Sequence, residues 1–169
     1  MLITLGLFFL VTPLVEKVPR GDVIEALLLS FVFLFAVLAV GAGRRKFIIA
    51  ALLMTPALVG KWFNHFRPDL FGPALYLIPA LIFGSYVILQ LQLSVMQARR
   101  VDTGILCTAI CVYLFMGLVW SFAYLLEAGL HPGSFTSNSP GGPTAVLDGF
   151  TAFYFSFGTQ STAGFGDIT

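Results

Sequence analysis

Five apolar stretches, separated by short charged segments, constrain this chain more than any other feature. A helix that crosses a bilayer needs about 20 mostly apolar residues, and the stretches approach or exceed that length. Charged residues make up only 10% of the chain, against roughly 25% in a soluble domain, so they are too few to cover a water-facing surface. The sequence therefore predicts an all-α integral membrane protein with about five transmembrane helices, over residues 2–15, 23–42, 47–63, 70–98 and 104–128.

The first stretch, Leu2–Val15, has a length that also suits the apolar core of a secretory signal. It lacks the basic residues that precede such a core, and no small-x-small cleavage site stands before Glu16. We therefore expect a short first span rather than a cleaved signal. Its length leaves open whether it crosses the whole bilayer.

Basic residues between the spans predict the orientation. Arg44, Arg45 and Lys46 separate the second and third stretches, and Arg99 and Arg100 separate the fourth and fifth. The segments on the opposite side carry four basic residues against these five, so the count alone differs little. The compact cluster at 44–46 stands in a very short loop, however, which favours a cytoplasmic position for that loop. The N-terminus is then inside and the fifth span ends outside. The four basic residues on the opposite side are Lys17, Arg20, Lys61 and Arg67.

Several functional classes are excluded by what the sequence lacks. Nine Lys and Arg against eight Asp and Glu give no basic footprint for nucleic acid. Cys107 and Cys111 lie four residues apart in an apolar run, as packing residues do. The fourth stretch has no basic residue at every third position, which excludes direct voltage sensing through it. No nucleophile–base pair, metal-ligand set or nucleotide motif is visible, so we expect no enzyme and no cofactor.

The last part of the chain differs from the spans. After a turn-rich segment at 129–147 comes an aromatic segment, 148–160, with no charge beyond Asp148. Asp148 is a suitable N-cap for a helix. Thirteen helical residues reach only about 20 Å, against a hydrocarbon core of about 30 Å. We therefore expect a re-entrant helix that enters the membrane without crossing it, followed by backbone that needs a protected place.

That backbone contains Gly164 and Gly166 at alternate positions, which permit conformations closed to other residues. Such a loop can aim successive carbonyl oxygens in one direction. Several copies around an axis would then form rings of oxygens that replace the water shell of a cation. Thr162 can add a hydroxyl oxygen at the inner end, and the negative C-terminal end of the preceding helix favours a cation there.

The segment Thr162-Ala163-Gly164-Phe165-Gly166-Asp167 resembles the potassium-channel motif Thr-Val-Gly-Tyr-Gly-Asp, which follows an aromatic pore helix in that family. Thr, both Gly and Asp match, while Ala replaces Val and Phe replaces Tyr. The resemblance covers residues 107–169 and is to bacterial channel proteins that have extra N-terminal spans. It divides the chain into N-terminal transmembrane helices at 1–103 and a partial pore domain at 104–169.

The resemblance implies a potassium-selective channel subunit that conducts K⁺ passively through a homotetrameric pore. Backbone oxygens of a selectivity filter would bind the ion, Ser161 and Asp167 would support that filter, and the lipid bilayer of the cell membrane, here the bacterial inner membrane, would surround it. The filter residues are Thr162, Ala163, Gly164, Phe165 and Gly166.

Two departures and one alternative accompany this interpretation. Gly158 stands where many family members carry a larger bracing side chain, and Phe165 lacks the tyrosine hydroxyl. Family members continue into an inner helix beyond the filter, so we expect a chain ending at Thr169 not to conduct alone. The alternative is a membrane transporter or a non-conducting scaffold in which the two glycines only break a helix.

Overall fold

The structure is a computed structural model that describes residues 1–15, 21–41, 43–66, 74–136 and 147–168. In these residues the chain forms six α-helices, which confirms the all-α prediction. The predicted segments around Lys17, Arg20 and Arg67, and most of the turn-rich segment 129–147, lie outside the described residues. The helices are α1 (Leu2–Val15), α2 (Gly21–Ala39), α3 (Arg44–Phe66), α4 (Ala74–Met96), α5 (Thr103–Leu130) and α6 (Gly149–Gln160).

Three of these helices are long and apolar enough to cross a membrane, over Arg44–Asn64, Ala74–Met96 and Thr103–Leu130. They give the chain the character of a membrane protein. The apolar parts of α1 and α2 are shorter, Leu2–Leu14 and Val23–Ala39. At 1.5 Å per residue, α1 is about 21 Å long and α5 about 42 Å long.

The boundaries of α2 and α3 differ from the sequence prediction. The second stretch was expected to reach residue 42, but α2 ends at Ala39 and Gly41 follows with φ +102°. Glycine in this left-handed conformation is a common helix stop. α3 begins at Arg44 rather than at Phe47, so the basic cluster forms its first turn. α3 and α4 continue through Pro56 and Pro79 without a break in the helix.

Helices that are consecutive in the chain pack against each other from α1 to α5, and α6 packs on α5. α1 also contacts α5, which brings the N-terminal helix beside α6. The centre of the bundle is aromatic, with the rings of Phe33 and Phe83 4.9 Å apart. α4 and α5 approach closely at Gly84. A Cβ at this position would collide with the Cγ2 atom of Val119. Small residues permit such close approach between membrane helices.

The outer faces of the helices carry large apolar side chains. Leu38, Leu52 and Leu89 are 57%, 71% and 60% exposed. A soluble monomer rarely shows so large a continuous apolar surface, whereas a helix surrounded by lipid tails does. The exposure pattern and the helix lengths therefore point in the same direction.

One ion pair ties three helices together within this apolar bundle. Lys61 Nζ of α3 lies 3.3 Å from Glu25 Oε1 of α2, and both side chains are mostly buried. The same Nζ atom stands 5.4 Å from the ring centre of Tyr76 in α4. Next to it, Trp62 Nε1 donates a hydrogen bond of 3.3 Å to Ser30 Oγ. The pair therefore fixes the start of α2, the end of α3 and the start of α4 at one level.

Candidate functional site

The predicted N-cap of α6 is present. Asp148 has extended backbone, and its Oδ1 atom accepts a hydrogen bond of 2.8 Å from the backbone N–H of Thr151. An acidic cap satisfies one of the free N–H groups at the helix start and interacts favourably with the helix dipole. α6 has 12 residues and is therefore about 18 Å long, too short to cross a hydrocarbon core.

Two polar side chains of α6 attach it to α5. Ser156 Oγ, which is buried, donates to the carbonyl oxygen of Gly117 at 2.7 Å. One turn later, Gln160 Nε2 donates to the carbonyl oxygen of Tyr113 at 3.0 Å. A Cβ on Gly117 would collide with the ring of Phe157, so the glycine lets α6 approach α5 closely. The end of α6 is thereby held in a defined position.

Aromatic rings on the same side of α6 pack on α1. The rings of Phe8 and Phe153 are 5.6 Å apart, and those of Phe9 and Phe157 are 5.0 Å apart, both edge to face. Such pairs contribute about 0.5–1.5 kcal/mol each beyond their buried area. One side of α6 is therefore held against both α1 and α5.

The chain leaves α6 through a compact set of hydrogen bonds. Ser161 Oγ donates to the carbonyl oxygen of Phe157 at 2.7 Å. The carbonyl oxygen of Gly158 accepts from the backbone N–H groups of Ala163 at 3.0 Å and Gly164 at 3.3 Å. These bonds satisfy carbonyl groups that the last turn of a helix leaves free, and they anchor the start of the loop. The side chain of Ser161 thus bonds to the last turn of α6.

The loop has positive φ at every second residue from Thr162 to Gly166. The values are +58° at Thr162, +53° at Gly164 and +72° at Gly166. The two glycines take the conformations that the sequence assigned to them. Thr162 was not expected to do so, because a β-branched residue at positive φ is an outlier. Strain of this kind costs about 1–3 kcal/mol and is concentrated at functional sites.

All residues from Ser161 to Asp167 are exposed on the single chain. Phe165 is 68% exposed, although it is the largest side chain of the loop. Ile168, the first residue after the loop, is buried. The predicted filter residues therefore form an exposed edge between the end of α6 and the buried side chain of Ile168.

Tyr154 contacts the far end of this loop, a role that the sequence analysis missed. Its ring is stacked on Phe165, with the centres 5.8 Å apart and the planes at 13°. A hydrogen bond to Asp167 raises the pKa of the Tyr154 hydroxyl, because the neutral phenol donates to the carboxylate. The ring of Phe165 also lies over Gly158, at 3.7 Å from the place of a Cβ. Phe165 and Asp167 are thus braced by Tyr154 rather than by a larger side chain at position 158.

Ser156, Gln160 and Tyr154 complete the surroundings of the loop. Ser156 and Gln160 are four residues apart in an aromatic segment, a spacing that places both on one helix face. This pattern was the signal by which the sequence could have indicated their contact with another helix. Tyr154 offered no such signal, because its contact depends on where the loop returns. Among the described residues, no group of three His, Cys, Asp or Glu is placed to hold a metal ion.

Comparison of the chain with protein-family models, with characterised proteins and with solved structures gives no match. The geometry of the site is therefore the basis for its function.

Proposed function

We propose that this chain is a subunit of a potassium-selective channel, with α1 to α5 as five transmembrane helices and α6 as a re-entrant pore helix. The observation that carries the proposal is the loop after α6. It has positive φ at alternate residues, an exposed edge, and the sequence Thr-Ala-Gly-Phe-Gly-Asp. Rings of backbone oxygens from such loops can replace the hydration shell of K⁺.

A homotetramer follows from this proposal. One loop supplies only one wall of an ion path, and the loop of the single chain has no protein over its exposed edge. Thr162, Ala163, Gly164, Phe165 and Gly166 bind K⁺ through backbone oxygens in this arrangement, while Ser161 and Asp167 hold the two ends of the loop. The pore lies in the cell membrane, and the bacterial inner membrane is the membrane that the motif implies.

The alternative is a non-conducting scaffold or a transporter with a glycine-broken helix. One observation favours it. The bonds from the Thr162 N–H to the Thr159 carbonyl and from the Ala163 N–H to the Gly158 carbonyl are those of an ordinary helix end, in which the residue at the place of Thr162 takes positive φ. The alternative predicts no preference between K⁺ and Na⁺.

The test is the thermal stability of the detergent-solubilised oligomer in K⁺, Na⁺ and choline. A ligand that binds only the folded assembly raises its unfolding temperature, so we expect a higher midpoint in K⁺ than in Na⁺. Gly164→Ala should abolish the difference, because a Cβ at φ +53° costs about 1–2 kcal/mol in each subunit.

Gly133→Ala is the matched control. Gly133 also has positive φ, +93°, and open space around its Cβ position, but it lies in the turn after α5. It should cost similar stability and leave the K⁺ effect intact. Equal midpoints in K⁺ and Na⁺ for the wild type, with the oligomer intact, would favour the scaffold.

A further inference from the structure

A cavity of about 350 Å³ lies between α1 and α6, next to the loop. It is partly open to the surroundings, and its volume is in the range of sites that bind small molecules, about 300–1,000 Å³. The walls are mainly aromatic. They include Phe9 of α1, Phe150, Phe153 and Phe157 of α6, and Ala163 and Phe165 of the loop.

The cavity offers water very few partners. Thr12 Oγ1 already donates to the carbonyl oxygen of Phe8, and Ser161 Oγ to that of Phe157, each at 2.7 Å. The Tyr154 hydroxyl interacts with the carboxylate of Asp167, which is not among the residues that line the cavity. A buried water needs two to four polar partners. Since the described residues that line the cavity include no charged side chain, a charged headgroup is not stabilised there either.

An empty cavity is also unfavourable, because the lining atoms lose dispersion contacts on one side. The medium around α1 is hydrocarbon if the helix lies in a bilayer, as its exposed Leu7, Leu10 and Leu14 indicate. We propose that the cavity binds one acyl chain of a membrane phospholipid, with the chain end against Ala163 and Phe165. This proposal requires a bilayer but not ion conduction.

A second copy of the chain is the competing occupant. A partner helix would cover a broad face, whereas the cavity is a recess between two helices that are already in contact through Phe8, Phe9, Phe153 and Phe157. A flexible chain enters such a recess without separating these rings. The recess therefore fits an acyl chain better than a helix.

The experiment places the photoreactive residue p-benzoylphenylalanine at Phe150, which lines the cavity and is half-exposed. The protein is reconstituted in vesicles of dioleoyl phosphatidylcholine, extracted into detergent, washed free of loose lipid and then irradiated. We expect a chain carrying the mass of one phospholipid. The same residue at Leu14, on the exposed face of α1, should give little adduct after washing.

Substitutions at Thr12 test the location. Thr12→Phe fills the cavity and should lower the retained adduct several-fold, whereas Thr12→Val keeps the volume without the hydroxyl and should retain it. Leu14→Phe adds the same ring on the lipid face and should have no effect. A chain-to-chain product at Phe150 would assign the cavity to a second copy. Equal adducts at Phe150 and Leu14, or an adduct unchanged by Thr12→Phe in a protein with wild-type melting, would also overturn the proposal.

Discussion

At the scale of single residues, Thr162 departs furthest from what its chemistry favours. It is the one non-glycine with positive φ in the part of the chain that the structure describes. Glycines at 164 and 166 indicate positive φ in the sequence, because glycine adopts such a backbone without steric cost. A threonine indicates negative φ, because its β-branched side chain disfavours the left-handed region. Its conformation could not be predicted, since it is imposed by hydrogen bonds on both sides, from its own N–H to Thr159 and from Ala163 to Gly158.

Replacing Thr162 tests this strain. Thr162→Gly should leave the free energy of unfolding unchanged or raise it by up to about 1 kcal/mol, because relief of the positive φ offsets the entropy of glycine. Ala163→Gly, at a neighbouring exposed position without positive φ, should lower it by about 0.5–1 kcal/mol. Denaturant unfolding without K⁺ measures both. A loss at Thr162 as large as the loss at Ala163 would mean that the threonine is not strained.

At the scale of elements, α6 shows what local sequence can predict. Its start and end were predicted within one residue, because an N-cap acid and an uninterrupted aromatic run are local signals. The start of α3 was placed three residues late, since Arg and Lys are good helix formers even where they mark the edge of the apolar stretch. The contacts of α6 with α1 and α5 had no local signal. They join residues far apart in the chain, with 31 positions between Tyr124 and Phe155 and 39 between Gly117 and Ser156.

The α5–α6 interface can be tested at Gly117. Gly117→Ala should destabilise the protein by about 1–3 kcal/mol, because the new Cβ would overlap the ring of Phe157 and force the helices apart. Gly6→Ala is the matched control, a helical glycine of α1 with open space around its Cβ position. It should stabilise by about 0.5–1 kcal/mol through helix propensity. Thermal unfolding of the two variants should therefore shift in opposite directions, and a common direction would contradict the close approach.

At the scale of the whole molecule, the Glu25–Lys61 pair joins α2 and α3 in a bundle that is held mainly by apolar packing. We expect Glu25→Gln or Lys61→Met alone to cost about 1–2 kcal/mol, less than the roughly 3–5 kcal/mol of a fully buried pair, since both side chains remain partly exposed. The double variant should cost less than the sum of the two, because no unpaired charge remains. Additive losses in denaturant unfolding would show that the two charges act independently.

The orientation of the whole bundle is the remaining prediction, and it decides from which side α6 enters the membrane. The basic first turn of α3 favours the cytoplasm, which places the end of α5 and the start of α6 outside. Ser134, exposed after α5, and Gly43, exposed before α3, lie on opposite sides in this arrangement. With Cys107 and Cys111 replaced by alanine, Ser134→Cys should react with a membrane-impermeant maleimide in intact cells. Gly43→Cys should react only after the membrane is opened. The reverse pattern would invert the topology and direct the N-terminus of α6 to the cytoplasm, while labelling of both sites in intact cells would mean that an odd number of helices between them does not cross the bilayer.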